Sequence, residues 1–268
     1  MGRPFIANPE VSDAAVITAT TESGVFAAEN LLDPQPYRVW RSSTVGTQYL
    51  ILDLGGSTRV RCIWLGYTNL TSDAFWSIRA ADTEGALPSA PFIRTYSSFW
   101  PDPSISGWSR IHGFHWIPDA DTVEFRWWRI QLTDPTNPAG FLEAGRLYVS
   151  DGWRPSRGAR YGWASRYLDG SRFERNENSN LFVTRHRARR EFDLTISGLT
   201  EEEVYDDSGA LDRDRGASRD VLYVHDPEDR PRLMDWTIYG TMKGLEPIQN
   251  MTLGYYERRL RIEEWELP

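Results

Sequence analysis

The run Tyr49-Leu50-Ile51-Leu52-Asp53-Leu54-Gly55-Gly56, continued by Val60-Arg61-Cys62-Ile63-Trp64-Leu65-Gly66-Tyr67, decides how the chain is read. Aliphatic, β-branched and aromatic residues on both sides of Gly55-Gly56-Ser57-Thr58 predict strand, turn, strand. No residue in the run announces a reaction, which points to a binding or scaffolding module rather than a catalyst. Cys62, the single cysteine, lies in the second apolar run, where a small core side chain is expected. One cysteine excludes an internal disulfide framework and any multi-cysteine metal site, and suggests manufacture in a reducing cytosol.

Working outward, Ala28-Glu29-Asn30-Leu31-Leu32-Asp33 and Val39-Trp40-Arg41-Ser42-Ser43 precede this run. The order A-x-N-L-L-D, W-R-S-S, Y-L-x-L-D-L-G resembles the first half of discoidin-like (galactose-binding-like) domains. Phe125–Leu132 resembles that family's y-x-R-I-x-L strand, and Gly140–Val149 its closing strand, so the resemblance covers about residues 10–153. It implies a jelly-roll β-sandwich with Trp40 and Leu54 facing the core, and with Leu31 and Leu32 plugging one end. It also implies a structural calcium held near Asp33 and Glu143; no other cofactor is indicated.

Beyond Ser150-Asp151-Gly152-Trp153-Arg154-Pro155 a polar tract runs to Asn180 and reads as turns with one hairpin, a linker or arm. Arg190–Ser197 then alternates, with Phe192, Leu194 and Ile196 on one face. Thr200-Glu201-Glu202-Glu203 is a capping box flanked by Leu199 and Val204, so a helix is expected over about 201–211. Val221–Val224, Leu233–Met242, Pro247–Leu253 and Tyr255–Trp265 complete a strand set. This order resembles the tail-tube and distal-tail proteins of long-tailed bacteriophages. The fold expected is mainly β: an N-terminal jelly-roll β-sandwich plus a C-terminal small β-barrel or sandwich with one short helix. The domains expected are 1–153, a linker or arm over 154–184, and an oligomerisation domain over 185–268.

Composition fits these readings. The chain has 268 residues, 40% hydrophobic and 25% charged, enough for a substantial core and for two domains. A net charge of −8 with no basic half makes sequence-specific nucleic-acid binding a poor expectation. No apolar run is long enough for membrane insertion, and Met1–Pro9 lacks the apolar core of a secretory signal. Of 30 basic residues only Lys243 is lysine, and arginine suits planar, bidentate contacts.

Candidate chemistry is sparse. His112 and His115 offer two imidazoles without a third ligand at metal-site spacing. No phosphate loop, nucleophile elbow or ordered triad is present, so no enzyme is expected. The 82–109 connection carries aromatics that look exposed, among them Phe92, Phe99 and Trp100; Trp100, Trp108 and Trp116 could form a sugar platform. Asp212-Arg213-Asp214-Arg215 reads as a solvated loop. Arg187, Arg189 and Arg190 form the one basic cluster, and are expected at a subunit interface beside the edge strands Phe192–Ile196 and Leu233–Ile238.

The main reading is a non-enzymatic structural component of a phage or phage-like tail tip or baseplate. It would form a trimeric or hexameric ring with itself and contact tube, hub and tape-measure proteins. It would be made in the host cytoplasm and reside in the virion, with the sandwich free to bind a host-surface glycan. The alternative is a carbohydrate-binding protein without a role in tail assembly.

Overall fold

A computed structural model describes residues 2–102, 111–175 and 181–265. The chain forms two compact units. One comprises Ala7–Gly152 with Asp226–Trp236, and the other Met1–Ile6, Trp153–His225 and Thr237–Pro268. The units therefore exchange two short segments, where the sequence suggested domains consecutive along the chain.

In the first unit, alternating apolar and polar residues build two antiparallel sheets with one core between them. The larger sheet has the order Val16–Ala19, Thr47–Arg59, Glu124–Thr133, Phe75–Ala81, Phe92–Tyr96. The smaller has Cys62–Gly66 between Arg146–Ser150 and His112–Trp116. Leu50, Leu52, Ile78, Trp128 and Ile130 of the first share one buried cluster with Ile63, Leu65, Leu147 and Val149 of the second. The arrangement is a β-sandwich, as the sequence led one to expect.

The local reading of Gly55–Thr58 does not hold. Thr47–Arg59 is one strand, and its register against Glu124–Thr133 slips between Asp53 and Thr58. Gly55 takes the left-handed φ of 78° there, and its amide donates to Asp53 Oδ1 at 2.9 Å. The glycines thus make a bulge, not a hairpin, and Cys62–Gly66 passes to the other sheet. Trp40 and Leu31 are fully buried, while Leu32 and Leu54 are partly buried against the same core. Phe92, Phe99 and Trp100 are buried rather than exposed. Cys62 is buried too, and burial pushes its thiol pKa well up.

The second unit is a seven-stranded sheet. Its main order is Phe5–Ala7, Asp220–Val224, Thr237–Met242, Tyr255–Glu264, Arg189–Leu199, Ala164–Leu168, with Gln249–Thr252 also on Tyr255–Glu264. Phe192, Leu194 and Ile196 are buried, as their alternation requires. The strands expected at edges, Phe192–Ile196 and Leu233–Ile238, differ in place: Arg189–Leu199 and Thr237–Met242 each have two neighbours, and Ala164–Leu168 is an edge. Leu233–Trp236 is helical, continuing a 3₁₀ turn over Arg230–Arg232; Pro231 presets the helical φ at that turn.

The capping box forms reciprocally. The Thr200 amide donates to Glu203 Oε2 at 2.9 Å and the Glu203 amide to Thr200 Oγ1 at 3.3 Å. These bonds, with those from the Ser156 amide and hydroxyl, hold the Glu203 carboxyl below its usual pKa against the upward push of burial. The following turns pass from a π-helical stretch, Glu203–Ser208, into Gly209–Arg215. Asp212 is therefore helical, not part of a loop, and it pairs with the buried guanidinium of Arg258. Arg258 also donates to the Ser208 carbonyl at 2.6 Å, which supplies a partner where the π-helical stretch ends.

Trp40 contributes a full indole to the sandwich core, and its Nε1–H reaches the Thr21 carbonyl at 3.1 Å. Trp40→Ala is expected to destabilise the sandwich by about 3–5 kcal/mol. Denaturant unfolding followed on that unit's transition checks this; a loss under about 1 kcal/mol would mean that the site collapses freely around the cavity.

Candidate functional site

The polar chemistry of the sandwich gathers where Trp40–Arg41 pairs with Glu143–Ala144. Alternation buries Trp40 and Ala144 and leaves Arg41 and Glu143 half-buried. Arg41 Nε and Nη2 both donate to Glu143 Oε2, at 2.9 and 2.6 Å. The guanidinium lies 4.2 Å from the ring centroids of both Phe26 and Phe141, a cation–π arrangement on two sides. Among the described residues, Arg41 Nη1 and Glu143 Oε1 have no protein hydrogen-bond partner. A donor and an acceptor thus stand side by side among aromatic rings.

Three loops fix this group. The Arg41 amide donates to the Phe26 carbonyl at 3.1 Å. Asn69 Nδ2 donates to the Phe141 carbonyl at 2.9 Å, while Asn69 Oδ1 accepts from the Glu143 amide at 2.8 Å. Buried Asp134 accepts from the Thr71 amide and hydroxyl at 2.9 and 3.0 Å and from Asn137 Nδ2 at 2.9 Å. Tyr67 takes φ 58°. A Cβ on neighbouring Gly145 would lie 2.2 Å from the Pro36 carbonyl oxygen, so only glycine fits there. Tyr37, next to Pro36, is 57% exposed.

The residues expected to hold calcium are occupied by fixed cations. Asp33 pairs with Arg38 at 3.0 Å and accepts the Gln35 amide at 2.8 Å; Glu143 is held by Arg41. The Leu31 carbonyl accepts from fully buried Arg146, which also pairs with Asp13 at 2.7 Å. Positive charge is built into this loop covalently, and among the described residues no cluster of three or more His, Cys, Asp or Glu could hold a metal.

The other expected sites resolve differently. Trp100 is a core residue, its Nε1–H donating to the Leu70 carbonyl at 3.0 Å; Trp116 lies on the smaller sheet opposite Cys62; Trp108 lies outside the described residues. The structure does not bring these three together as a platform. Arg189 and Arg190 pair within their own unit, with Glu263 at 2.6 Å and Glu264 at 2.7 Å, while Arg187 is half-buried just ahead of the same strand. His112 and His115 sit three apart on one strand, hence on opposite faces. They cannot chelate one ion; His112 packs by Trp64 and His115 by Phe92 and Tyr96. Sequence reasoning missed Arg41, Phe26 and Phe141, although the W-R-S-S alternation, Trp40 in and Arg41 out, carried the signal.

No protein-family model matches the chain, and no curated protein matches it significantly. Solved structures do resemble it. A family 32 carbohydrate-binding module of C. perfringens NanJ, in complex with galactose, aligns with 54% of this chain and 98% of its own at 16% identity and TM-score 0.39. A C. perfringens module in complex with GalNAc-β-1,3-galactose aligns with 54% and 99% at 17% identity and TM-score 0.38. A mutant of chitosan-binding module 1 from a Paenibacillus sp. IK-5 chitosanase/glucanase aligns with 50% and 92% at 18% identity and TM-score 0.37.

His115 gives the sandwich a pH signature. Burial, then the charges of Arg94 and Arg230, lower its pKa to about 3, so the folded imidazole stays neutral while the unfolded one protonates near pH 6.5. Stability is unaffected above pH 6.5 and falls as pH drops from 6.5 towards 3, by about 5 kcal/mol in the limit. Urea unfolding between pH 7 and 4 should show this slope, and His115→Phe should flatten it.

Proposed function

We propose that the sandwich unit is a non-catalytic saccharide-binding module whose contact group is Arg41 and Glu143 between Phe26 and Phe141. The observation that carries this reading is the paired Arg41 Nη1 donor and Glu143 Oε1 acceptor, each without a protein partner among the described residues. Neighbouring sugar hydroxyls both donate and accept, so such a pair can bind two of them. Aromatic faces beside it suit the apolar C–H faces of a pyranose. The galactose bound in one similar sandwich makes galactose-terminated oligosaccharides the first ligands to try.

Isothermal titration of the full chain with galactose, N-acetylgalactosamine-β-1,3-galactose and chitotriose tests the reading. Binding of one of these should weaken about tenfold or more in Phe141→Ala and in Glu143→Gln, the second of which keeps the side chain's size. Failure of all three sugars to bind, or binding indifferent to both substitutions, overturns it.

A second reading is a self-assembling structural component, such as a ring at a phage-like tail tip. One observation supports it: Arg172–Arg175 pairs with Leu181–Thr184 in a hairpin whose every strand residue is exposed, including Phe173, Leu181, Phe182 and Val183. Apolar side chains displayed on a two-stranded ribbon suit burial against another chain. Light scattering should then show oligomers, and Phe173→Ser with Phe182→Ser should return them to monomers; a monomer at high concentration refutes assembly.

A further inference from the structure

The outer face of the larger sheet carries two arginines directly opposite one another, Arg79 on Phe75–Ala81 and Arg129 on Glu124–Thr133. Like charges at opposed cross-strand positions repel, and a fold ordinarily answers them with a carboxylate. Here none does. Among the described residues no acidic side chain pairs with Arg79 or Arg129. Asp53, on the strand beyond Arg129, is held by Arg126 Nε and Nη2 at 2.6 and 2.7 Å.

The guanidinium groups are also under-bonded. Arg79 Nη1 donates to the Pro88 carbonyl at 2.5 Å. The Arg129 guanidinium has no hydrogen bond among the described residues and rests 5.0 Å from the Tyr49 ring centroid. The Nε of both is buried without a partner, a state that costs free energy until an acceptor arrives. Burial and then the charge of Arg79 depress the pKa of Arg129, as expected where two cations share a site.

Neutral polar groups flank the pair. One step along the sheet, Gln131 lies between Tyr49 and Ser77 in register, and Ser77 accepts a hydrogen bond from Thr95 at 3.2 Å.

From the opposed register, the missing counter-charge and the orphaned Nε atoms, we infer that Arg79 and Arg129 form a binding site for an oxyanion. A sulfate, phosphate or carboxylate would accept from both forks and relieve their repulsion, the bidentate geometry at which arginine excels. Gln131 can contribute an amide N–H alongside. The site is on the sheet face, distinct from the Arg41–Glu143 group at the loops, and stands independently of the saccharide reading.

The test uses the full chain in chloride buffer at constant ionic strength. Sodium sulfate should raise the melting temperature of the sandwich saturably, and galactose 6-sulfate should be compared with galactose. In Arg79→Gln and in Arg129→Gln the saturable rise should vanish or require about tenfold more sulfate. Without sulfate, each variant should be as stable as the parent or more so, because repulsion is removed; an arginine with a purely structural role would show a loss. Tighter binding of galactose 6-sulfate than of inorganic sulfate would identify an anion carried on a sugar, and equal binding a free oxyanion; both support the site. A sulfate effect that fails to saturate and is the same in all three proteins, as generic salting-out would be, overturns it.

Discussion

A β-strand turns successive side chains to opposite faces, and the sandwich unit depends on that constraint along Thr47–Arg59. Leu50 and Leu52 enter the core while Tyr49, Ile51 and Asp53 take the outer face. Its neighbours follow in register, so Ile130 and Ile78 continue the inward row and Arg129 and Arg79 the outward one. Slipping one residue would send every apolar group to the wrong face. The bulge after Asp53 adds the extra residues without disturbing the paired stretch before it, and pairing resumes at Thr58 and Arg59 before the chain crosses to the other sheet at Cys62.

Arginine is this protein's main polar device. Arg146 and Arg258 are buried with carbonyl and carboxylate partners, and Arg190 is held by both oxygens of Glu264. Such pairs stabilise only while complete, because removing one partner strands a buried charge. They tie loops and helix ends to the sheets, including the Asn30–Asp33 loop, near which the discoidin-like resemblance implied a calcium. Arg41, Arg79 and Arg129 differ: among the described residues the guanidinium of Arg41 or Arg79 is only partly hydrogen-bonded and that of Arg129 is not hydrogen-bonded.

The second unit joins a regular sheet to a peripheral hairpin. Its central strands are long and ion-paired across their registers, as in Asp193 with Arg259 and Arg261. The paired strands Arg172–Arg175 and Leu181–Thr184 instead carry exposed apolar side chains.

Much was legible from residue order. Strand positions and the Thr200–Glu203 capping box rest on local periodicity or spacing, which operates over a few residues; the sandwich class and the burial of Trp40 and Leu31 followed from the resemblance to discoidin-like domains. What the sequence could not rank were choices between local structures of similar preference. Gly55-Gly56 serves a hairpin or a bulge equally, and only pairing with Glu124–Thr133 selects the bulge. Leu233–Trp236 alternates like a strand, yet after Pro231 it continues as helix. The partners of Asp33, Glu143, Arg189 and Arg190, and the burial of Trp100, were invisible as well. The sequence by itself determined which side chains face inward, since alternation is a local property of the backbone. Only tertiary structure decided which outward groups meet: Arg41 and Glu143 lie 102 positions apart, and Arg79 reaches Arg129 only because their strands are neighbours in one sheet.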